Sequence, residues 1–172
     1  MVHPIVLVIL LCQLLLISFA IYLIFGFINK TPFYPSSIKQ LNLLKESGLL
    51  DFKKYKTFID IGSGDGRIVR WASKIGFKDA HGIEYNPYLS LYSKVRSPFA
   101  KDITIHNKRF ENHDFSKYDV AYLYIFPEHM ENIKEKLFTQ MKPGSVIITN
   151  TFKFKDIAPS DTFEKLYLYF VS

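Results

Sequence analysis

Cysteine is almost absent from this chain of 172 residues, and the single one, Cys12, lies within an apolar stretch. One thiol cannot build a disulfide framework, and no Cys/His spacing suited to zinc occurs. We therefore expect a protein of a reducing compartment that holds no metal. Internal repeats and low-complexity tracts are also missing, and this length leaves room for one domain plus an appendage.

Acidic residues are outnumbered: 16 Asp and Glu stand against 22 Lys and Arg, which gives a formal net charge of +6. A basic domain can lie against an anionic membrane surface or a nucleic acid. Because the sequence contains no RNA-binding module and no basic tract interleaved with aromatic residues, we do not expect nucleic acid as a partner.

Charge is missing altogether from Pro4 to Ile28. Roughly 25 residues at about 1.5 Å each are long enough to cross a hydrocarbon core of about 30 Å with tilt. A cleaved signal is the alternative, but the apolar run continues beyond the cleavage-like Ser18-Phe19-Ala20. We expect residues 1–30 to form an N-terminal transmembrane anchor that contacts the bilayer through residues 4–28.

Basic residues follow this stretch, beginning with Lys30, and no Lys or Arg precedes it. By the positive-inside rule, the sequence predicts a single-pass membrane protein whose remaining residues, 31–172, form a domain on the cytoplasmic side.

The most informative stretch runs from Phe58 to Arg67, where an apolar run ends in Asp60 and glycines follow at alternate positions. This pattern is typical of a buried strand that turns tightly into a helix, here expected from Arg67 to Ile75. Alternate glycines let backbone N–H groups approach a ligand with no Cβ in the way, and the helix N-terminus suits an anionic group. By itself, such a run could also be only a tight turn.

A second acid, Glu84, ends the next short strand, about twenty residues beyond the glycines, where nucleotide-binding α/β units place a carboxylate for ribose hydroxyls. Asn86 and Pro87 then predict the N-cap and first residue of a helix. The alternative for Glu84 is a solvated acid at the end of a strand.

Strand-like and helix-like segments alternate along the rest of the chain, with further strands expected over 103–106, 120–125, 146–150 and 166–171. This alternation predicts an α/β class with a doubly wound, mainly parallel sheet. Little room remains between Asn150 and Leu166 for a helix and an antiparallel hairpin, so we expect a reduced sheet with an open edge.

Two helices carry more detailed predictions. Ser37 and Gln40 match a capping box, and Gly48 is expected to end that helix. The helix after Pro87 repeats apolar residues at helical spacing, which predicts an inward face with Lys94 and Arg96 outward; the residues are Tyr88, Leu91, Tyr92, Val95 and Phe99.

Four segments together, 32–36, 60–67, 82–87 and 124–128, resemble the class I S-adenosylmethionine-dependent methyltransferases. In particular, the chain resembles the small membrane-anchored protein-lysine methyltransferases, which include enzymes acting on the ATP synthase c subunit and the adenine nucleotide translocase. The resemblance implies a Rossmann-like, C-terminally shortened methyltransferase fold and S-adenosylmethionine as cofactor. It also implies a lysine-bearing protein substrate, expected to be a membrane protein.

The resemblance also assigns cofactor-binding residues. The glycine loop would cradle the methionine portion, Asp60 would face its ammonium, and Glu84 would hold the ribose. Arg109 stands where many class I enzymes place an acid that reads adenine, so packing by Phe110 and backbone groups would serve instead. The whole set is Asp60, Ile61, Gly62, Ser63, Gly64, Asp65, Gly66, Glu84, Tyr85, Asn86 and Phe110.

The catalytic assignments are Tyr124, Phe126 and Pro127, which would line the acceptor channel at the end of the fourth strand. Methyl transfer is a displacement on an activated carbon, so the enzyme mainly positions and desolvates its substrates. The acceptor lysine must be neutral, and an apolar aromatic cavity beside a cationic sulfonium lowers its pKa. As the alternative, Tyr124 is only a core tyrosine.

Two other functions remain open. A basic domain is compatible with an RNA or small-molecule methyltransferase, although a membrane anchor would be unusual there. A non-catalytic, membrane-tethered binding module could keep the nucleotide fold, but the intact Asp60, glycines and Glu84 argue against loss of a cofactor site.

Overall fold

The computed structural model describes residues 3–28 and 34–172, in two compact units, Met1–Tyr34 and Pro35–Ser172. Most of the linker that the sequence predicts, residues 29–33, lies outside the described residues. In the described part of the first unit, one helix is present, α1 (Pro4–Ile28). Over Pro4–Tyr22 its mean hydropathy is 2.8 and none of it is buried, so by length and composition it could cross a membrane. A signal sequence near an N-terminus would meet the same criteria.

The second unit alternates helices and strands, as predicted. Its helices are α2 (Ile38–Ser47), α3 (Arg67–Ile75), α4 (Pro87–Val95) and α5 (Pro127–Gln140). Its strands are β1 (Thr57–Ile61), β2 (Asp79–Glu84), β3 (Ile103–Asn107), β4 (Val120–Leu123), β5 (Val146–Asn150), β6 (Asp161–Phe163) and β7 (Leu166–Phe170). Short 3₁₀ turns occupy Phe52–Lys54 and Phe110–Asn112.

The strands form one sheet in the order β3-β2-β1-β4-β5-β7-β6. The first five strands pair in parallel, and β7 runs antiparallel to both β5 and β6. The order reverses between β1 and β4, so the carboxyl ends of these two strands flank the crevice in which open α/β sheets bind ligands. The prediction of a Rossmann-like, mainly parallel sheet is confirmed.

The expected reduction of the sheet is wrong, because β6 and β7 complete a seven-stranded sheet. The hairpin fits because β6 has only three residues and the turn to β7 only two, Glu164 and Lys165, with Glu164 in the left-handed region at φ 52°. What the chain lacks is a helix between β5 and β6: the fully described residues 151–160 contain none. Shortening therefore removes a helix and spares the strands.

Each face of the sheet has its own apolar core. One combines α2 and α3 with β-strand side chains and includes Leu41, Leu44, Phe58 and Trp71. The other lies under α5 and includes Ile61, Leu123 and Leu137. Right-handed connections explain the division, since β1 to β2 to β3 runs one way across the sheet and β4 to β5 the other.

The helix ends differ in how well the sequence predicted them. The Asn86 side chain accepts hydrogen bonds from the Tyr88 and Leu89 N–H groups at 2.9 and 3.3 Å, which confirms it as the N-cap of α4. Gly48 ends α2 in the left-handed conformation, also as predicted. Ser37 occupies the N-cap position of α2, but its side chain makes no capping hydrogen bond, so the capping box is wrong.

The inward face predicted for α4 is also wrong. Its buried residues are Ser90 and Ser93. Of the predicted apolar repeat, Tyr88 is half-buried and the others are exposed, namely Leu91, Tyr92, Val95 and Phe99. The reason is close packing, because a Cβ built on Gly66 at the start of α3 would collide with the Ser93 hydroxyl. Only small side chains fit where these two helices meet.

Three histidines stack between β2, β3 and the chain leading to β4; we call His81, His106 and His113 the histidine cluster. His81 Nδ1 lies 2.8 Å from His106 Nε2, and His113 Nε2 lies 2.9 Å from the Tyr118 hydroxyl. Burial, together with neighbouring cationic groups, lowers the pKa of His106 and of His113 to about 4. These two histidines are therefore neutral at physiological pH.

Candidate active site

The carboxyl edge of the sheet brings the predicted site residues together. In the parallel register, Ile61 of β1 pairs with Ile83 of β2 on one side and with Leu123 of β4 on the other. The loop after β1, the acid at the end of β2 and the aromatic segment after β4 therefore meet at one edge. This is the place where the sequence predicts a ligand site.

The glycine loop turns back on the end of β2. The N–H groups of Gly62 and Ser63 both donate to the Ile83 carbonyl at 2.9 Å, and Gly62 has a φ of 78°. A Cβ on Gly62 would lie 2.8 Å from Ile125 Cγ2, so the segment after β4 packs directly on this loop. Gly64 and Gly66 also adopt positive φ, of 52° and 75°. The backbone conformation thus explains the alternate glycines.

Asp65 braces the loop from within. Its Oδ1 and Oδ2 atoms accept a bidentate pair of hydrogen bonds from Nε and Nη2 of Arg67, and Oδ1 also accepts from the Arg67 backbone N–H. Burial acts to raise the pKa of Asp65, but the hydrogen bonds and charge of Arg67 outweigh it and hold that pKa below its usual value. Asp65 is therefore ionised and committed to the loop.

Asp60, at the end of β1, is in the opposite situation. Its side chain is buried, and it makes no side-chain hydrogen bond or ion pair with any residue in the described part of the chain. Burial first, and then the negative charge of Glu84, raise its pKa well above the ordinary value. A buried carboxyl group without a partner is costly, and a bound cation would relieve that cost.

Glu84, at the end of β2, ties two segments together. One carboxylate oxygen accepts from the Gly64 N–H at 2.8 Å and the other from the Asn86 N–H at 2.7 Å. Burial raises its pKa, while these backbone hydrogen bonds act against the rise. Each carboxylate oxygen can accept a second hydrogen bond, so hydroxyl groups can still bind here. The solvated-acid alternative does not fit a carboxylate engaged in this way.

The turn after β2 is braced by groups that the sequence did not single out. The Asn107 side chain donates to the carbonyls of Glu84 and Tyr85 at 2.9 and 3.1 Å. Tyr85 itself is exposed, and the Arg109 guanidinium lies over its ring at 5.2 Å from the centroid. The structure thus brings Tyr85 and Asn86 to the same edge as Glu84.

Phe110 begins the 3₁₀ turn after β3 and packs partly buried against the second core. The next residue, Glu111, is an acid that the sequence analysis missed, because it expected the acid at the position of Arg109. One Glu111 oxygen pairs with Arg109 at 3.0 Å, and the other is buried without a hydrogen-bond partner in the described structure. An acceptor therefore exists close to the position where the sequence suggested that none would be found.

The segment after β4 holds the three residues assigned to the acceptor channel. Tyr124 is half-buried against the first core, and its hydroxyl makes no hydrogen bond to another described residue. Phe126 is exposed and precedes Pro127, the first residue of α5. Together with Ile125, which touches the glycine loop, they form an aromatic and apolar wall beside the loop.

The carboxyl edge of the sheet therefore has a polar part, which contains the carboxyl groups, and an apolar part, which is the aromatic wall. Asp60 and Glu84 suit a ligand that carries a cation and hydroxyl groups, whereas the N–H groups of Gly62, Ser63 and Gly64 already donate within the protein. The segment from Tyr124 to Pro127 suits an apolar chain. Among the described residues, no group of three or more His, Cys, Asp or Glu is arranged to hold a metal ion.

Known proteins are similar to this chain, and the family match covers the residues of the candidate site. The family described as the ANTKMT methyltransferase domain matches residues 60–161. The lysine N-methyltransferase of the ATP synthase c subunit from Xenopus laevis is 33% identical over 142 residues, which cover 77% of this chain and 58% of that protein. A protein-lysine N-methyltransferase of Saccharolobus islandicus (strain REY15A) is 24% identical over 140 residues, covering 79% and 86%.

A solved structure agrees in fold. An RNA methyltransferase from Salinibacter ruber in complex with S-adenosyl-L-homocysteine superimposes with a TM-score of 0.71 at 24% identity, over 80% of this chain and 94% of that one. This chain spans little more than half the length of the ATP synthase c-subunit methyltransferases that it matches. The matched region contains the glycine loop, Glu84 and the segment after β4. The chain belongs to the ANTKMT methyltransferase domain family.

Proposed function

We propose that this protein is a membrane-anchored, S-adenosylmethionine-dependent methyltransferase that modifies a lysine side chain of a membrane protein. The observation that carries the proposal is the buried Asp60 carboxyl, which lies beside the glycine loop and has no hydrogen-bond partner in the described structure. Family membership supports the reaction class, and curated relatives are named as lysine N-methyltransferases of the ATP synthase c subunit and of the adenine nucleotide translocase.

The residues present fit this cofactor. The α-ammonium of its methionine portion supplies the cation that the Asp60 site lacks. Glu84 can bind ribose hydroxyls with the lone pairs that the Gly64 and Asn86 N–H groups leave open. When bound, the cofactor supplies a methyl group on a positively charged sulfur.

The segment from Tyr124 to Pro127 would prepare the acceptor. A lysine attacks only as the neutral amine, and its ordinary pKa is about 10.4. The aromatic wall of Tyr124 and Phe126 would desolvate the ammonium and favour loss of its proton to solvent. The Tyr124 hydroxyl, which makes no hydrogen bond to another described residue, can then accept from or donate to the incoming amine and orient its lone pair.

Anchoring by α1 would select the substrate by position. The Ser36 side chain lies beside the Tyr122 hydroxyl, which accepts a hydrogen bond from the Asn150 side chain at 2.9 Å. Tyr122 lies in β4 beside Asp60. The second unit thus begins close to its own carboxyl edge, so a membrane-inserted α1 would hold the site near the bilayer, on the cytoplasmic side by the positive-inside rule.

The test compares cofactor binding and methyl transfer by full-length chains reconstituted in nanodiscs. Asp60→Asn should bind S-adenosylmethionine at least about tenfold more weakly, because one charge-assisted interaction is lost. Asp161→Asn, an exposed change at the edge strand, is the matched control and should behave like the unaltered protein. Equal affinity for the two variants would contradict the assignment of Asp60.

The substrate class is tested in cells by mass spectrometry of methyl-lysine on membrane proteins. Replacing residues 4–28 with an unrelated transmembrane helix of the same orientation should preserve methylation, and a helix of reversed orientation should abolish it. Methylation confined to soluble proteins or to RNA would overturn the proposed acceptor while leaving cofactor binding intact.

A further inference from the structure

The outer side of α4 and of the turn that follows it carries large apolar side chains. Leu91, Val95 and Phe99 are 62%, 66% and 93% exposed, and Tyr92 is 49% exposed. Leu91, Tyr92 and Val95 lie on one face of α4 at helical spacing, and Phe99 lies in the turn that follows the helix. We call these four residues the α4 face. Single exposed apolar side chains are ordinary on a protein surface, whereas a contiguous group marks an interaction site.

Packing against α3 determines which side of α4 faces the interior of the domain. Ser90 and Ser93 are each only 1% exposed, and their hydroxyls have no hydrogen-bond partner in the described structure. Ser93 lies against Gly66, where the first turn of α3 leaves no room for a larger side chain. Rotating α4 to bury its apolar residues would drive them into this turn. The helix therefore cannot hide the α4 face within the domain.

Basic side chains border the α4 face. Lys94, Arg96 and Lys101 are exposed, and the Arg96 guanidinium lies 5.8 Å from the centroid of the Tyr92 ring. Apolar and aromatic residues bordered by Lys and Arg are the composition of surfaces that lie in the interface of an anionic bilayer. The same basic residues would disfavour a second, equally basic copy of this chain.

We propose that the α4 face docks onto the lipid surface of the membrane that α1 crosses; this rests on the proposed function only in placing α1 in a bilayer. The apolar helix ends at Ile28 and the second unit begins at Pro35. Seven residues reach at most about 25 Å when fully extended. An inserted α1 thus keeps the start of the second unit close to the headgroups, so that the domain meets a high effective concentration of lipid.

Docking in this way orients the active site. Helices that connect parallel strands run roughly antiparallel to them, so laying α4 on the bilayer sets the strands parallel to the membrane plane. The carboxyl edge, with Asp60 and Glu84, would then open sideways along the membrane surface. One helix diameter, about 10 Å, would separate the sheet from the headgroups. A target lysine would have to lie just above the headgroup layer.

The experiment measures the depth of a fluorophore in vesicles that contain the full-length chain. Cys12→Ser removes the only thiol, and Phe99→Cys then carries an environment-sensitive dye. Asn132→Cys, an exposed position on α5 across the sheet, is the matched control. A nitroxide on the lipid acyl chain near the headgroup should quench the label at position 99 at least about twofold more than the control, since interfacial helices bury their apolar side by about 5–10 Å.

Lipid charge gives a second readout. In vesicles that contain phosphatidylserine, Lys94→Gln with Arg96→Gln should shift the docking equilibrium by roughly fivefold for each charge removed. In pure phosphatidylcholine vesicles the same pair should change quenching little. Dependence on phosphatidylserine supports a lipid partner.

Each failure has a distinct meaning. Equal quenching at positions 99 and 132, in a chain that resists carbonate extraction, overturns docking while leaving the anchor in place. A label at position 99 that is shielded from aqueous iodide but not quenched by lipid shows that protein covers the α4 face, which also overturns the proposal. Because neither readout needs cofactor or activity, loss of methyl transfer alone would count against the proposed function instead.

Discussion

Replacing Glu84 with Ala should damage both the fold and cofactor binding, because this carboxylate holds the glycine loop and is the proposed ligand of the ribose. It accepts hydrogen bonds from the Gly64 and Asn86 N–H groups at 2.8 and 2.7 Å. A buried donor left without a partner costs about 1–3 kcal/mol, and because Glu84 is itself partly exposed, the lower figure applies to each. We expect the free energy of unfolding to fall by about 2 kcal/mol.

The effect on ligand binding should be larger. Hydrogen bonds to a charged group are worth about 1.5–3 kcal/mol each, so losing two to the ribose should weaken S-adenosylmethionine binding by about 100-fold or more. Glu84→Gln separates the two roles. Its amide oxygen can accept from only one backbone N–H, and its NH₂ group faces the other donor, so the loop should be destabilised although the side chain keeps its size.

The assays are urea denaturation for stability and titration calorimetry for affinity, both on the full-length protein in detergent. Glu135→Gln, an exposed change on α5, is the control and should leave both quantities unchanged. If Glu84→Ala binds the cofactor within about twofold of the unaltered protein, the carboxylate only ends a strand and the reasoning fails.

Three further predictions concern backbone and charge. Gly62→Ala should lower the free energy of unfolding by about 1–2 kcal/mol because of the positive φ at this position. The new Cβ would lie 2.8 Å from Ile125 Cγ2, so the variant should also bind the cofactor more weakly. Gly48→Ala is the control for calorimetry, because it has a similar positive φ but no neighbouring atom near the new Cβ, and it should bind the cofactor normally. Asn86→Ala should cost about 1 kcal/mol by denaturation, whereas Ser37→Ala, whose side chain caps nothing, should cost little. Because folding lowers the pKa values of His106 and His113, the unfolded chain takes up protons first, and stability should fall as pH drops from about 6.5 toward 4. The loss should be about 3 kcal/mol at pH 5 once the shifts are halved for solvent screening. Denaturation midpoints that rise on acidification would contradict this.

Much of the fold could be predicted because its signals are local. The glycine loop requires a positive φ at three positions, and the sequence shows these positions because each holds a glycine: Gly62, Gly64 and Gly66. The N-cap of α4 was predictable for the same reason, since Asn86 and Pro87 act on their immediate neighbours. Family membership, which the resemblance predicted from these local motifs, is confirmed.

The predictions that were wrong concern features that depend on contacts between residues far apart in the sequence. Helical periodicity finds the apolar side of α4 but cannot tell whether that side faces the sheet, which is decided by the space that Gly66 leaves for Ser93. The strand β6 is three residues long with mostly exposed side chains, so neither alternation nor burial marks it. The roles assigned to Tyr124, Phe126 and Pro127 stay predictions, because a methyl acceptor is defined by a partner outside this chain.

The surroundings of Tyr122 hold the start of the second unit against the sheet. The Tyr122 hydroxyl, buried in β4, accepts a hydrogen bond from the Asn150 side chain of β5 and lies beside the Ser36 side chain. Under the proposed function, the residues between an inserted α1 and Ser36 form a tether that spans at most about 30 Å. The distance over which the proposed enzyme could act along a membrane would then depend on the contacts of one buried tyrosine as well as on the length of the tether.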